Sequence, residues 1–253
     1  MKKMYLTILT IVTVFCIIFG TVYHLGTFFG RFTTLNIPFL KIGNVKTTSF
    51  EKKYQGVKSA ELDVNCLNVT VDAYNGDEVI ISYSGRELYQ PVIDFKNGSL
   101  TIGQPKVKDH KISSVESNLN ISLPADVKLS HVDITADMGN LDLSNITADS
   151  MNLSADMGSI NCTGASADKM DIDTDMGSAN LKDLSFTDLS VSVDMGSVEL
   201  NSRESLADYS FSCTASMGAI TVNDEDYSGD YKRSGNAGTI TIDADMGSVA
   251  INY

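Results

Sequence analysis

From about residue 57 onward the chain alternates apolar and polar residues, the period-two pattern of half-buried strands. "AELDVNCLNVTVDA" (60–73), "DEVIISYSG" and "GSLTIG" follow one another with Gly and Asn between them. Residues 104–118 are polar and read as loop. "LNISLPADVKL" then leads into a repeat.

The repeat is "ADMGN", "ADMGS", "TDMGS", "VDMGS", "ASMGA" and "ADMGS", with methionines at Met138, Met157, Met176, Met195, Met217 and Met246. The first four are nineteen residues apart. A fixed period near twenty is the mark of a solenoid. No helix fits inside it, because apolar residues recur at every second position. Val132, Ile134 and Ala136 share one parity, and Leu141 and Leu143 resume after the Met-Gly. Each unit therefore reads as a strand, a corner, a second strand and a connector. Ile146, Ala165 and Leu184 recur in the connectors and predict a short third side. Stacked units pair in parallel about 4.8 Å apart, and identical positions form ladders. The fold class expected is all-β, a parallel β-helix or β-solenoid with about 19-residue coils.

At the corner, Gly is read as the residue that tolerates a sharp turn. Parity points Met inward, where its flexible thioether would fill gaps. An inward thioether column could hold Cu(I), but no His or Cys column accompanies it, so packing is preferred. Asp137, Asp156, Asp175, Asp194 and Asp245 have outward parity, with Ser216 in the remaining repeat. Stacked carboxylates repel by about 0.9 kcal/mol per neighbouring pair in water. Two offsets are open. Each Asp can accept the N–H two residues on, as in an Asx-turn. Alternatively the ladder can hold Ca²⁺, which takes six to eight oxygens. The turn cap is the preferred reading. From 201 to 235 the register breaks, and "NDEDYSGDYKRSGN" is read either as a functional loop or as an end cap.

Residues 4–23 carry no charge and follow Lys2 and Lys3. Twenty such residues span a bilayer, with the basic end inside. A single-pass transmembrane helix over 1–24 is expected, a juxtamembrane connector over 25–54, and an extracellular β-solenoid over 55–253. A cleaved signal peptide is the alternative, but no small-x-small site ends the segment. Cell-membrane localisation follows from the anchor.

The net charge of −13 disfavours nucleic acid and anionic lipid as partners. Outside the apolar segment, with its Cys16, the cysteines are Cys66, Cys162 and Cys213, an odd number for a disulfide framework. Cys162 reads as a small buried residue, with a single disulfide as the alternative. His24, His110 and His131 are the three histidines. No nucleophile elbow, phosphate loop or metal-ligand spacing accompanies them. The carboxylates recur evenly, where a glycan hydrolase needs two with distinct roles. The chain reads as a non-enzyme without a required cofactor. The sequons at Asn68, Asn97, Asn120, Asn145, Asn152 and Asn161 are read as outward polar residues.

With its apolar N-terminus, "LDVNCLNVTVDAYNGDEVIISYSG", "GSLTIG" and the Asp-Met-Gly repeats, the chain resembles the bacterial putative-adhesin domain of unknown function. That β-strand-repeat family is common in Gram-positive bacteria. The resemblance spans roughly residues 55–253. It implies a single-stranded parallel β-helix outside the membrane and carries no catalytic residues. Cell-wall or host-surface glycan or protein would be the partner of such a surface. A second function fits the same resemblance: an envelope-stress regulatory module acting through a membrane partner. A glycan-active enzyme is the third.

Overall fold

Alternation over so many segments leaves each strand with one apolar face, and the chain buries those faces by winding them around a common axis. The computed structural model describes residues 45–105 and 116–253. The expected membrane segment, most of the connector and part of the polar loop lie outside the described residues. Among the described residues no helix is long and apolar enough to cross a membrane. One 3-10 turn, Glu87–Tyr89, is their only helical element.

The solenoid has three sides. On the first side Ser59–Val64, His131–Met138 and Ser150–Met157 lie in parallel register, followed by the first halves of Ser166–Lys182 and Ser185–Asn201. On the second, Asn68–Tyr74, Leu141–Ser144 and Ile160–Thr163 stack below the second halves of the same long strands. The short third side that Ile146 and Ala165 predicted is present, as Lys128–Leu129, Thr147–Ala148 and Ser166 in register. Within the repeats the step from coil to coil is the nineteen residues read from the sequence: Val132 faces Met151, which faces Met170, which faces Leu189.

The interior follows directly. Ile134, Leu153, Ile172 and Val191 form one buried row, and Leu143, Cys162, Leu181 and Leu200 another. Each large apolar side chain buried this way contributes about 1.5–3 kcal/mol before entropy is counted. Cys162 and Cys213 sit in such rows as free thiols, and their burial pushes both up to about 12. Cys66 is also free, so no disulfide joins any two of the three.

Chain order and stacking order part company at the C-terminal end. Strand Thr239–Asn252 lies between Ser185–Asn201 on one side and Ser210–Ala215 with Ile220–Val222 on the other. The last strand of the chain is thus an interior coil, and the 210–222 coil closes the stack. Residues 201–235 are therefore an end cap. Glu225–Tyr227 and Tyr231–Arg233 add antiparallel edges to it. Arg233 pins the cap: its guanidinium lies 4.5 Å from the Phe211 ring and donates to the Leu206 carbonyl at 2.5 Å and to the Tyr253 hydroxyl.

The opposite end is closed the same way. Val92–Lys96 runs antiparallel to Ser99–Gly103, and Thr47–Tyr54 runs antiparallel to Val79–Arg86. These edge strands carry Glu51, Lys52, Lys53, Asp94 and Lys96, charges that discourage further strand addition. Thr47–Tyr54 belongs to the solenoid, although the connector was expected to reach residue 54. Its alternation is broken by "EKK", which hid it.

Candidate functional site

The Asp-Met-Gly corner is the feature that recurs without an obvious packing reason, and the structure revises two of its four expected roles. Outward Asp is as expected: Asp156, Asp175, Asp194 and Asp245 are exposed, and Asp137 is half-buried. Inward Met is not. Met157, Met176, Met195, Met217 and Met246 are 42–67% exposed. The parity argument fails because the ladder skips one residue at each Asp. Ala155 pairs with Ala136 and Met157 with Met138, while Asp156 has no partner between them. The bend at Asp turns both it and the following Met outward, and inward parity resumes at Ile160.

The Asx-turn also fails. The N–H of Gly139 donates to the Met157 carbonyl at 3.0 Å and that of Gly158 to the Met176 carbonyl at 3.1 Å. The groups that Asp was expected to cap are used by the next coil.

Gly has a second reason besides the turn. A Cβ on Gly177 would stand 1.6 Å from the Gly158 carbonyl oxygen, and one on Gly196 would stand 1.5 Å from that of Gly177. Backbone stacks on backbone at this corner, leaving no room for any side chain. Gly139, Gly158 and Gly196 also hold positive φ (146°, 154° and 155°), as expected of a turn residue, and a second left-handed position follows six residues on, at Asn145 (φ 57°), Gly164 (φ 63°) and Asp183 (φ 51°). Asn and Asp tolerate that conformation.

The outcome is a stripe running along the solenoid, one Asp-Met pair per coil. Asp175, Asp194, Asp245 and Ser216, together with Met176, Met195, Met246 and Met217, line a groove of about 550 Å³. Ser216 donates to Asp245 at 3.3 Å, so the missing sixth Asp is replaced by a donor to the fifth. Asp173 lies beside the stripe. Partial burial, and then the charge of Asp175, hold its carboxyl above the ordinary value. At the other end of the stripe Cys66 takes the Met position. Val64 faces Ala136 and Val69 faces Leu141, which places Cys66 opposite Met138. Burial raises the Cys66 thiol, and a hydrogen bond with Tyr89 works against that. Met138, Met157, Met176, Met195, Met246 and Met217 thus form a row of thioethers, one per coil, and Cys66 holds the matching register position beyond Met138 while packing against the core.

Carboxylates stand in a line along this stripe. Among the described residues no three His, Cys, Asp or Glu side chains converge on a metal-holding cluster. The Ca²⁺ ladder, the alternative to the turn cap, would have to draw most of its oxygens from water.

Sequence reasoning passed over one constellation. His131 Nδ1 lies 2.7 Å from Ser150 Oγ, and its Nε2 lies 3.6 Å from Asp133. The nineteen-residue period brings Ser150 beside His131. The order resembles a nucleophile, a base and an orienting acid. These residues sit on two adjacent strands, each paired on both sides, with backbone N–H groups engaged in the ladders where an oxyanion would need them free. The contact is a surface hydrogen bond. The sequon Asn161 is likewise structural: it donates to Asp142 at 2.6 Å and accepts from Asn180 at 2.7 Å.

Two solved structures are similar to this chain at low identity. One is of a putative cell adhesion protein from Clostridium sporogenes, 16% identical with a TM-score of 0.47, covering 82% of this chain and 99% of that one. The other is of a putative adhesin from Bacteroides fragilis, 13% identical with a TM-score of 0.49, covering 82% and 97%. A comparison with curated proteins finds no significant match. The Toastrack DUF4097 family profile matches residues 40–251. That span exceeds the region carrying the sequence resemblance, and the chain belongs to the Toastrack DUF4097 family.

Proposed function

We propose that the protein is a binding protein of adhesin type, displayed outside the membrane by residues 4–23 acting as a single-pass anchor. The observation that carries the reading is the Asp-Met stripe. A rigid ladder exposes five thioethers where a soluble surface would ordinarily carry polar groups, and lines them with carboxylates. Methionine suits such a surface because it adapts to partners of irregular shape. An extended partner, a cell-wall or host-surface glycan or protein, would lie along the stripe and meet the same two groups every coil. The even repetition supports binding over catalysis, which needs one asymmetric site.

The test measures retention of the full chain on wall preparations and on host-surface glycans and proteins. The comparison is a variant with Met176→Ser, Met195→Ser and Met246→Ser. The reading expects at least a tenfold loss in the variant. Equal retention removes the stripe from the function. Exchanging residues 4–23 for an unrelated anchor is expected to leave retention unchanged. Loss of activity on that exchange alone would favour the envelope-stress regulatory role.

A further inference from the structure

We propose that the sulfur row binds soft monovalent d¹⁰ cations, Cu(I) and its redox-inert counterpart Ag(I). The inference stands apart from the adhesin reading, since a metal on the stripe neither requires nor excludes a macromolecule there.

Four observations carry it. First, register places one methionine on each of six successive coils, Met138, Met157, Met176, Met195, Met246 and Met217. Second, the thioethers face outward and five of them are at least 42% exposed, so an ion reaches them without opening the fold. Third, the spacing suits a shared ion. Metal–sulfur bonds run about 2.3 Å, so two sulfurs on one ion stand up to about 4.6 Å apart. The coil repeat is about 4.8 Å, and three rotatable bonds let neighbouring methionines close the difference. Fourth, Asp175, Asp194 and Asp245 line the same groove as Met176, Met195 and Met246. A thioether is neutral, and a cation held by thioethers keeps its full charge. Carboxylates one residue away lower its energy without displacing sulfur, because a soft ion prefers the softer ligand.

The ligand set also selects against other ions. Ca²⁺ and Mg²⁺ seek oxygen cages, and Zn²⁺ seeks thiolate and imidazole. Thioether sulfur has no proton to lose, so binding of this kind stays flat across pH 5–8, unlike a site made of His or Cys.

The experiment titrates the full chain with Ag(I), and with Cu(I) under anaerobic reduction against a competing chelator. It is compared with the variant Met176→Leu, Met195→Leu, Met217→Leu, Met246→Leu. Leu conserves volume, and the positions are exposed, so circular dichroism and melting temperature should match those of the parent. Both proteins keep every cysteine, so the difference between them isolates the thioethers. The proposal expects at least one equivalent of ion lost in the variant, or at least a tenfold weaker affinity. It also expects a sulfur-only first shell by X-ray absorption in the parent. Asp175→Asn, Asp194→Asn, Asp245→Asn should weaken affinity several-fold and leave that shell unchanged. Equal uptake by parent and Leu variant overturns the proposal. So does an oxygen or nitrogen first shell, or loss of binding confined to the Asn variant.

Discussion

The coils from 131 to 201 and the segment from 202 to 253 are built from the same strand grammar and assembled differently. In the first region chain order is stacking order, and every coil after the first rests on the one nineteen residues before it. In the second, the chain passes over the place its final strand will occupy. It builds the terminal coil at 210–222 and an antiparallel rim, then returns to fill the gap. The difference shows what each region has to solve. An interior coil needs only a matching coil on both sides. The end coil must also stop the stack, and the short charged strands around Lys232 and Glu225 do that. Placing the regular C-terminal strand inside and the irregular segment outside satisfies both needs.

The comparison breaks most visibly by truncation. If Thr239–Asn252 were a terminal edge, ending the chain at residue 238 would cost little. As an interior coil its loss strips both neighbours of partners, and the cap and Ser185–Asn201 should lose protection together. Amide exchange in these two segments, and collapse of the thermal transition, are the expected readouts. Next in size is the corner glycine. Gly177→Ala pushes a Cβ into the carbonyl of the coil below and should cost about 3 kcal/mol or more, with Gly177→Val worse. A denaturant midpoint equal to the parent's would show that the corner has slack.

A smaller effect of opposite sign is expected at Thr174. It sits buried in the row with Ala155 and Val193, and its hydroxyl has no hydrogen-bond partner. Thr174→Val should stabilise by about 1 kcal/mol, seen as a higher urea midpoint at constant slope.

The smallest effect is pH-dependent. Asp173 has its carboxyl raised in the folded state, by partial burial first and by Asp175 next. Between the unfolded and folded pKa values the native protein therefore binds more protons. Its contribution to stability is greatest at low pH and declines as pH rises through that window. Melting temperatures followed upward from pH 3.8, the ordinary carboxyl value, should show a shallower decline in Asp173→Asn than in the parent.

Much of the interior was legible because a buried row imposes strict alternation. Leu153, Ile172 and Val191 announce themselves by parity, and the nineteen-residue period supplies their register. The corner was legible in position and misleading in detail. Parity carried through Asp156 places Met157 inside, because nothing in a one-dimensional pattern marks the unpaired residue at a bend. Gly177 looked like a turn residue for a similar reason: its constraint comes from Gly158 in the next coil, a contact invisible without the stack. The cap was the least legible part. Strand insertion is a choice among edges, and the alternation of "GTITIDADMGSVAINY" is the same whichever neighbours it joins.

The outward methionine row is tested most directly by oxidation of the native full chain with dilute peroxide, read residue by residue by mass spectrometry. Exposed thioethers convert to sulfoxides readily. Met157, Met176, Met195, Met217 and Met246 should oxidise at comparable rates, while Met151 and Met170, each 1% exposed, stay protected until the protein unfolds. If Met176 and Met195 were protected as strongly as Met151, the corner would face inward, and both the binding stripe and the sulfur row would be lost.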